Sequence, residues 1–132
     1  MALTEDRNTQ RRSGDVVALP AAAAKKFFAG ALVARDASGN ATPGATAADI
    51  LGVGRCKAFV DNSAGLAGAA TVEIEKGIFH FKNSASDPVV AADIGNNCYI
   101  VDDETVSHTD TNQSVAGVVF DVDATGVWVK FD

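Results

Sequence analysis

Residues Thr71–Lys82 read TVEIEKGIFHFK. Val72, Ile74 and Lys76 alternate with Glu73 and Glu75, the period of two that belongs to a half-buried β-strand. After Gly77 the apolar set becomes Ile78, Phe79 and Phe81, with His80 on the side opposite the two phenylalanines. An alternating strand that glycine interrupts and that then resumes predicts a bulge or a tight corner.

Downstream the pattern repeats in shorter pieces. Asn83–Asp87 with Pro88 reads as a turn, and Val89–Asp93 leads into a second turn at Gly95-Asn96-Asn97. Cys98–Asp102 (CYIVD) is a strand. Asp103–Ser114 is polar, with one β-prone pair, Thr105-Val106. Val115–Val122 (VAGVVFDV) and Val127–Phe131 (VWVKF) flank Asp123-Ala124-Thr125-Gly126. Four turn residues ending in glycine predict a hairpin, closed by a type I turn with a bulge.

Upstream, Asp15–Leu19 is a strand closed by Pro20. Ala21–Ala29 (AAAAKKFFA) admits two readings. Its alanines and lysines favour a short helix, whereas its position between Pro20 and Gly30 suits a loop leading into a strand. Ala31–Arg35 is a strand ending in the turn formers Asp36–Asn40, and Thr42–Ala48 reads as loop. Ile50–Val60 reads as one strand, with Gly52 and Gly54 marking a bulge or a close backbone contact. Cys56, Ala58 and Val60 fall on one face of it, and Arg55, Lys57 and Phe59 on the other. Asp61–Ala70 reads as a flexible loop. The sum is about seven short strands joined by Gly, Asn, Asp and Ser turns, which predicts an all-β fold. The expected body is one compact β-sandwich or barrel over 15–132, with an extended arm over 1–14 and room for one short helix.

The 132 residues suit a single domain whose core needs neither metal nor disulfide to fold. Apolar residues make up 47%, with alanine and glycine prominent. The large core pieces are therefore expected to be Phe27, Phe28, Phe59, Phe79, Phe81, Tyr99, Phe120, Trp128 and Phe131. The net charge of −6 and pI near 4.7 argue against a direct nucleic-acid partner. Arg7, Arg11 and Arg12 form a small basic cluster on this acidic chain, read either as a solvated tail or as an arm that docks on an acidic partner. Met1–Ser13 lacks a signal peptide's apolar run, and no apolar stretch is long enough for a membrane span. A cytosolic origin follows, so Cys56 and Cys98 are expected as buried free thiols.

Little here suggests chemistry. Cys98, His108 and Asp110 assemble into a triad only on paper. No Cys/His cluster has metal-ligand spacing. Asp121–Gly126 resembles a calcium loop at its first, third and sixth places, but a hairpin turn explains the same residues. Gly52-Val53-Gly54 lacks the third glycine of a dinucleotide loop. Asp102-Asp103-Glu104 reads as a solvated turn. The expected protein is not an enzyme and takes no cofactor or metal.

Several runs, in order, resemble bacteriophage capsid decoration, or cement, proteins. AGALVARDASGNATP is similar to that family's G-x-L-V…D-x-x-G-x…P run. ILGVGRCKAFVDNSAG is similar to its x-L-G-V-A strand, and VEIEKGIFHFKNSA to its V-x-V-x-x-G-(V/I)-F strand. IGNNCYIVDDETVS resembles G-x-x-V-Y-V-x-D-D-x-T-V, and AGVVFDVDATGVWVKF resembles A-G-x-V-x-x-V-D-x-x-G-V-x-V. The resemblance spans about Asp15 to Phe131. It implies a structural virion protein on the outer capsid surface, made in the bacterial cytoplasm. It also implies self-association as dimers or trimers and binding at junctions between major capsid protein subunits. Arg7, Arg11 and Arg12 are the expected capsid contacts. The alternatives are a head-fibre base, a tail-tube subunit or a carbohydrate-binding β-sandwich module. The last needs exposed aromatics, whereas Trp128 and Tyr99 sit in apolar strand patterns and are expected in the core.

Overall fold

A computed structural model of the chain describes residues 2–10, 12 and 14–132. The fold is all-β, as the alternation predicts. In chain order the strands are β1 (Val16–Pro20), β2 (Lys25–Phe27), β3 (Leu32–Arg35), β4 (Ala41–Pro43), β5 (Leu51–Cys56) and β6 (Val60–Asn62). Then follow β7 (Thr71–Glu75), β8 (Gly77–Asn83), β9 (Asn97–Ile100), β10 (Thr105–Ser107), β11 (Val115–Asp123) and β12 (Gly126–Phe131). They build a five-stranded sheet in the order β1-β7-β5-β3-β4, a closed barrel in the order β10-β8-β12-β11-β9, and a ribbon of β2 and β6.

The stretch Thr71–Lys82 joins the two halves. β7 pairs with β1 and β5 in the open sheet, and β8 pairs with β10 and β12 in the barrel. Gly77 makes the corner at φ +146°, a backbone region that side chains disfavour. A one-residue break flips the inward face of a strand. Val72 and Ile74 accordingly enter one core, and Phe81 enters the other.

The barrel core gathers Leu32, Phe81, Ile100, Val106, Val119, Val127, Val129 and Phe131, and the sheet core gathers Phe27, Val33, Val53, Val72 and Ile74. β3 feeds both, because Leu32 and Ala34 face the barrel while Val33 faces the other way. Both expectations for Gly52 and Gly54 hold. Register shifts by one residue where Val33 pairs Gly54 and Ala34 pairs Gly52. A Cβ on Gly52 would land on the backbone of Ala116, and one on Gly54 on the carbonyl oxygen of Glu75.

Several sequence expectations change. Ala21–Ala29 forms no helix. Ala24 takes φ +58°, and the amides of Ala21 and Ala22 donate to the carbonyls of Ala70 and Ala41 at 2.9 and 2.8 Å. Lys25–Phe27 then pairs with Val60–Asn62. Tertiary pairing outweighs the helical propensity of so short a run. The expected strand Ile50–Val60 is broken at Lys57–Phe59, so Ala58 and Phe59 are exposed and the ladder resumes as β6. Residues 61–70 begin in β6 and form an ordered turn, not a flexible loop. The buried Asn62 amide donates to the carbonyls of Ala22 and Leu66 at 2.9 and 3.2 Å. Two expected strands split, into β5 with β6 and β7 with β8, and β2, β4 and β10 form where no full strand was expected, so the described residues hold twelve strands where seven were expected.

The predicted hairpin is present as β11 and β12, with Asp123 opposite Gly126. Gly126 does not take the positive φ of a bulged turn. It is glycine because a Cβ there would strike the carbonyl oxygen of Phe81 and the His80 ring.

Cys56 and Cys98 are free and buried. Burial pushes both thiols up, Cys98 to about 12. The native protein should therefore not react with a disulfide reagent at pH 8, and both thiols should react once it is unfolded. Because the Cys98 pKa is raised by folding, its contribution is complete below the ordinary thiol range. It should fade as pH climbs from that range towards 12, lowering Tm. Rapid labelling of Cys98 in the native state would contradict this placement.

Candidate interaction surface

The arm carries two of the three expected contact residues among its described positions. Arg7 and Arg12 are exposed, and Arg11 lies outside the described residues. Among the described residues, neither guanidinium forms an ion pair with a carboxylate. The chain bends at Thr4-Glu5, and the Thr9 amide donates to the Arg7 carbonyl at 3.0 Å. The arm enters the body at an edge. β1 is the outermost strand of its sheet, and the Lys76 amide fixes the Asp15 carbonyl at 2.8 Å just before it.

The aromatic side chains sort differently from the sequence expectation. Phe27, Phe81 and Phe131 are buried, while Phe28, Phe59, Phe120 and Trp128 stand at the surface, 56%, 54%, 54% and 37% exposed. Phe28 and Phe59 meet with ring centroids 5.5 Å apart. They are the residues just beyond the β2–β6 ladder, which ends at the pair Phe27–Val60. Phe27 enters the sheet core, and Phe28, the next residue, faces the other way and is left exposed.

A hollow beside this pair is lined by Phe28, Ala29, Gly30, Ala31, Asp103 and Glu104. The Asp103 backbone carbonyl accepts from the Leu32 amide at 2.7 Å, which pins the acidic turn against the start of β3. Glu104 pairs with Lys82 at 2.6 Å. Asp103 is half-buried and has no cationic partner among the described residues. Burial, then the neighbouring charges of Asp102 and Glu104, push its carboxyl up.

A second cluster lies on the outer face of the barrel. One Asp123 oxygen accepts from the Thr125 hydroxyl at 2.7 Å and from the amides of Thr125 and Gly126, each at 2.9 Å. The other accepts from the Trp128 indole N–H at 3.0 Å. The Thr125 hydroxyl, then Trp128, holds the Asp123 carboxyl well below the usual carboxylate range. His80 completes the group, 3.4 Å from Asp123 and with its ring edge-on to Trp128 at 5.0 Å. These polar groups are spent on one another, so Asp121–Gly126 works as a turn lock. Trp128 is thus a surface residue and not the core residue its apolar neighbours suggest, and Tyr99 is half-buried.

The paper triad is not assembled. The Cys98 sulfur lies against the Gly117 carbonyl at 3.7 Å, and His108 Nδ1 lies 2.9 Å from Asp93, not from Asp110. The Asp93 carboxyl is held down chiefly by the Val90 amide. Among the described residues, no group of three or more His, Cys, Asp and Glu side chains is placed to hold a metal ion.

The sequence reading missed Phe28 and Phe59 as surface residues. The signal was available in the doublet Phe27-Phe28, since consecutive residues of a strand face opposite ways. No family model, curated protein or solved structure matches the chain.

Proposed function

We propose that this chain is a structural virion protein that binds the outer surface of a bacteriophage capsid at junctions between major capsid protein subunits and stabilises the shell. Five sequence runs in a shared order resemble the decoration family, and the fold suits the role. The observation that carries most weight is the exposed basic arm joined to an edge strand of an acidic body. Such an arm can lie along a neighbouring subunit, adding a strand or seating arginines on acidic groups. A small oligomer on a lattice holds several subunits at once, so modest individual contacts multiply.

A second reading, a carbohydrate-binding module, draws support from the exposed rings of Trp128 and Phe120. Against it, the polar groups around Trp128 already satisfy one another, which leaves few to orient a sugar.

The deciding experiment is co-sedimentation with mature empty capsids of the parent phage, comparing expanded with unexpanded shells. Saturable binding at a fixed ratio to the major capsid protein is expected. Preference for the expanded shell would place the site among surfaces created by maturation. Failure to bind either shell at concentrations well above those in an infected cell would overturn the reading in favour of a tail subunit or a sugar-binding module.

A further inference from the structure

We propose that, off the capsid, the arm of one copy docks on the Phe28–Phe59 pair of a second copy, with Leu3 on the rings and an arm arginine at Asp103. The inference concerns the free protein and stands whether or not the capsid reading holds.

Three observations lead to it. The first is unused apolar surface at both ends of the contact. Phe28 and Phe59 remain more than half exposed as a tilted pair in ring contact, and Leu3 is 73% exposed. Leu3 is also the arm's one large aliphatic side chain after Met1. Burying these groups against one another removes apolar area from water on both partners.

The second is charge. The first fourteen residues carry three arginines against Glu5 and Asp6, a net +1. The whole chain carries −6, so the body carries −7. The acids nearest the aromatic pair include the one most in need of a cation. Asp103 is half-buried, flanked by two further acids and without a cationic partner among the described residues. A guanidinium placed there gains a charge-assisted hydrogen bond and relieves the crowding of like charge. Lys25 and Lys26, just before Phe28 in the chain, are the cations at hand for Glu5 and Asp6.

The third is that the described arm residues stand exposed on their own body. The same chain holds an exposed arm and an uncovered aromatic pair together. From Leu3 to Arg7 an extended chain spans roughly 13 Å, enough to step from the rings to the acidic turn. An arm that serves its neighbour is a reciprocal contact, the kind that closes small oligomers.

The test mixes two tagged chains, one Leu3→Cys and the other Ala29→Cys, under mild oxidation. Cys56 and Cys98 are buried and do not compete. A disulfide-linked heterodimer is expected, at several-fold higher yield than with Ala85→Cys, on an exposed turn, as acceptor. Asp103→Asn or Phe59→Ser in the acceptor chain should each cut that yield several-fold, as should raised salt. Unchanged Tm in these variants would show that the body is intact. Heterodimer yield no higher than the Ala85→Cys control, or indifferent to both acceptor substitutions, overturns the proposal. So does a Leu3→Cys/Ala29→Cys double variant that closes only within single chains. Capsid sedimentation reports separately, so failure here leaves the decoration reading to its own test.

Discussion

Gly52→Ala is expected to break the seam between the open sheet and the barrel and to lower Tm by roughly 10 °C or more. The added Cβ would overlap the carbonyl oxygen, carbonyl carbon and Cα of Ala116, all of them backbone atoms. Neither side can give way cheaply. Gly52 is tied to Ala34 at the bulge of the β3–β5 ladder. Ala116 sits between Val115, paired with Tyr99, and Gly117, paired with Cys98. Gly117 is itself crowded, since a Cβ there would lie 2.6 Å from the Lys130 carbonyl oxygen and 2.8 Å from the Val129 side chain. Relief must therefore come from moving whole strands, at a cost of about 3 kcal/mol. For a chain of this length each kcal/mol shifts Tm by about 4 °C. Gly14→Ala is the control, because open space surrounds that position, and it should stay within about 0.5 kcal/mol of the native protein. If Gly52→Ala melted alongside Gly14→Ala, the close approach of β5 to β11 would be wrong.

The seam shows where sequence reading stops. Gly52 and Gly54 signalled a bulge or a close approach, but not which strand comes close, since Ala116 is distant in the chain. The period of two identified Thr71–Lys82 as strand, and Gly77 marked its break. Whether the break was a bulge or a corner depended on which sheets the two halves joined, which is a long-range matter. Ala21–Ala29 stayed open between a short helix and a loop leading into a strand for the same reason. Its local preference is helical, while its hydrogen bonds go to Ala41, Ala70 and the strand at Val60. The aromatic surface was half legible: the Phe27-Phe28 doublet forces one ring outward, but its partner Phe59 depended on the break in the strand at Lys57. Trp128 was misread because its apolar neighbours on β12 hid that it occupies an outward position of the alternation, between the buried Val127 and Val129.

On the capsid-decoration proposal, deletion of residues 1–14 is expected to reduce capsid occupancy at least about a hundredfold, because several arms of one oligomer would bind together and their contributions multiply. Tm should be unchanged, since the described arm residues contribute no side chain to either core. The pairing of those two results is what makes the prediction specific. A body that needed the arm for folding would lose both stability and binding. A body that bound through its own aromatic surfaces would lose neither. Replacing Arg7, Arg11 and Arg12 together by Gln should fall between deletion and the native chain. It should also flatten the salt dependence, because exposed charge contacts weaken as the screening length shortens. If occupancy survives deletion intact, the basic arm is not the capsid contact. Attention would then pass to the surface rings that the body itself presents, Phe28 with Phe59 at the ribbon and Phe120 with Trp128 on the barrel. Phe→Ser substitutions on the ribbon pair and, separately, on the barrel would show which face meets the shell.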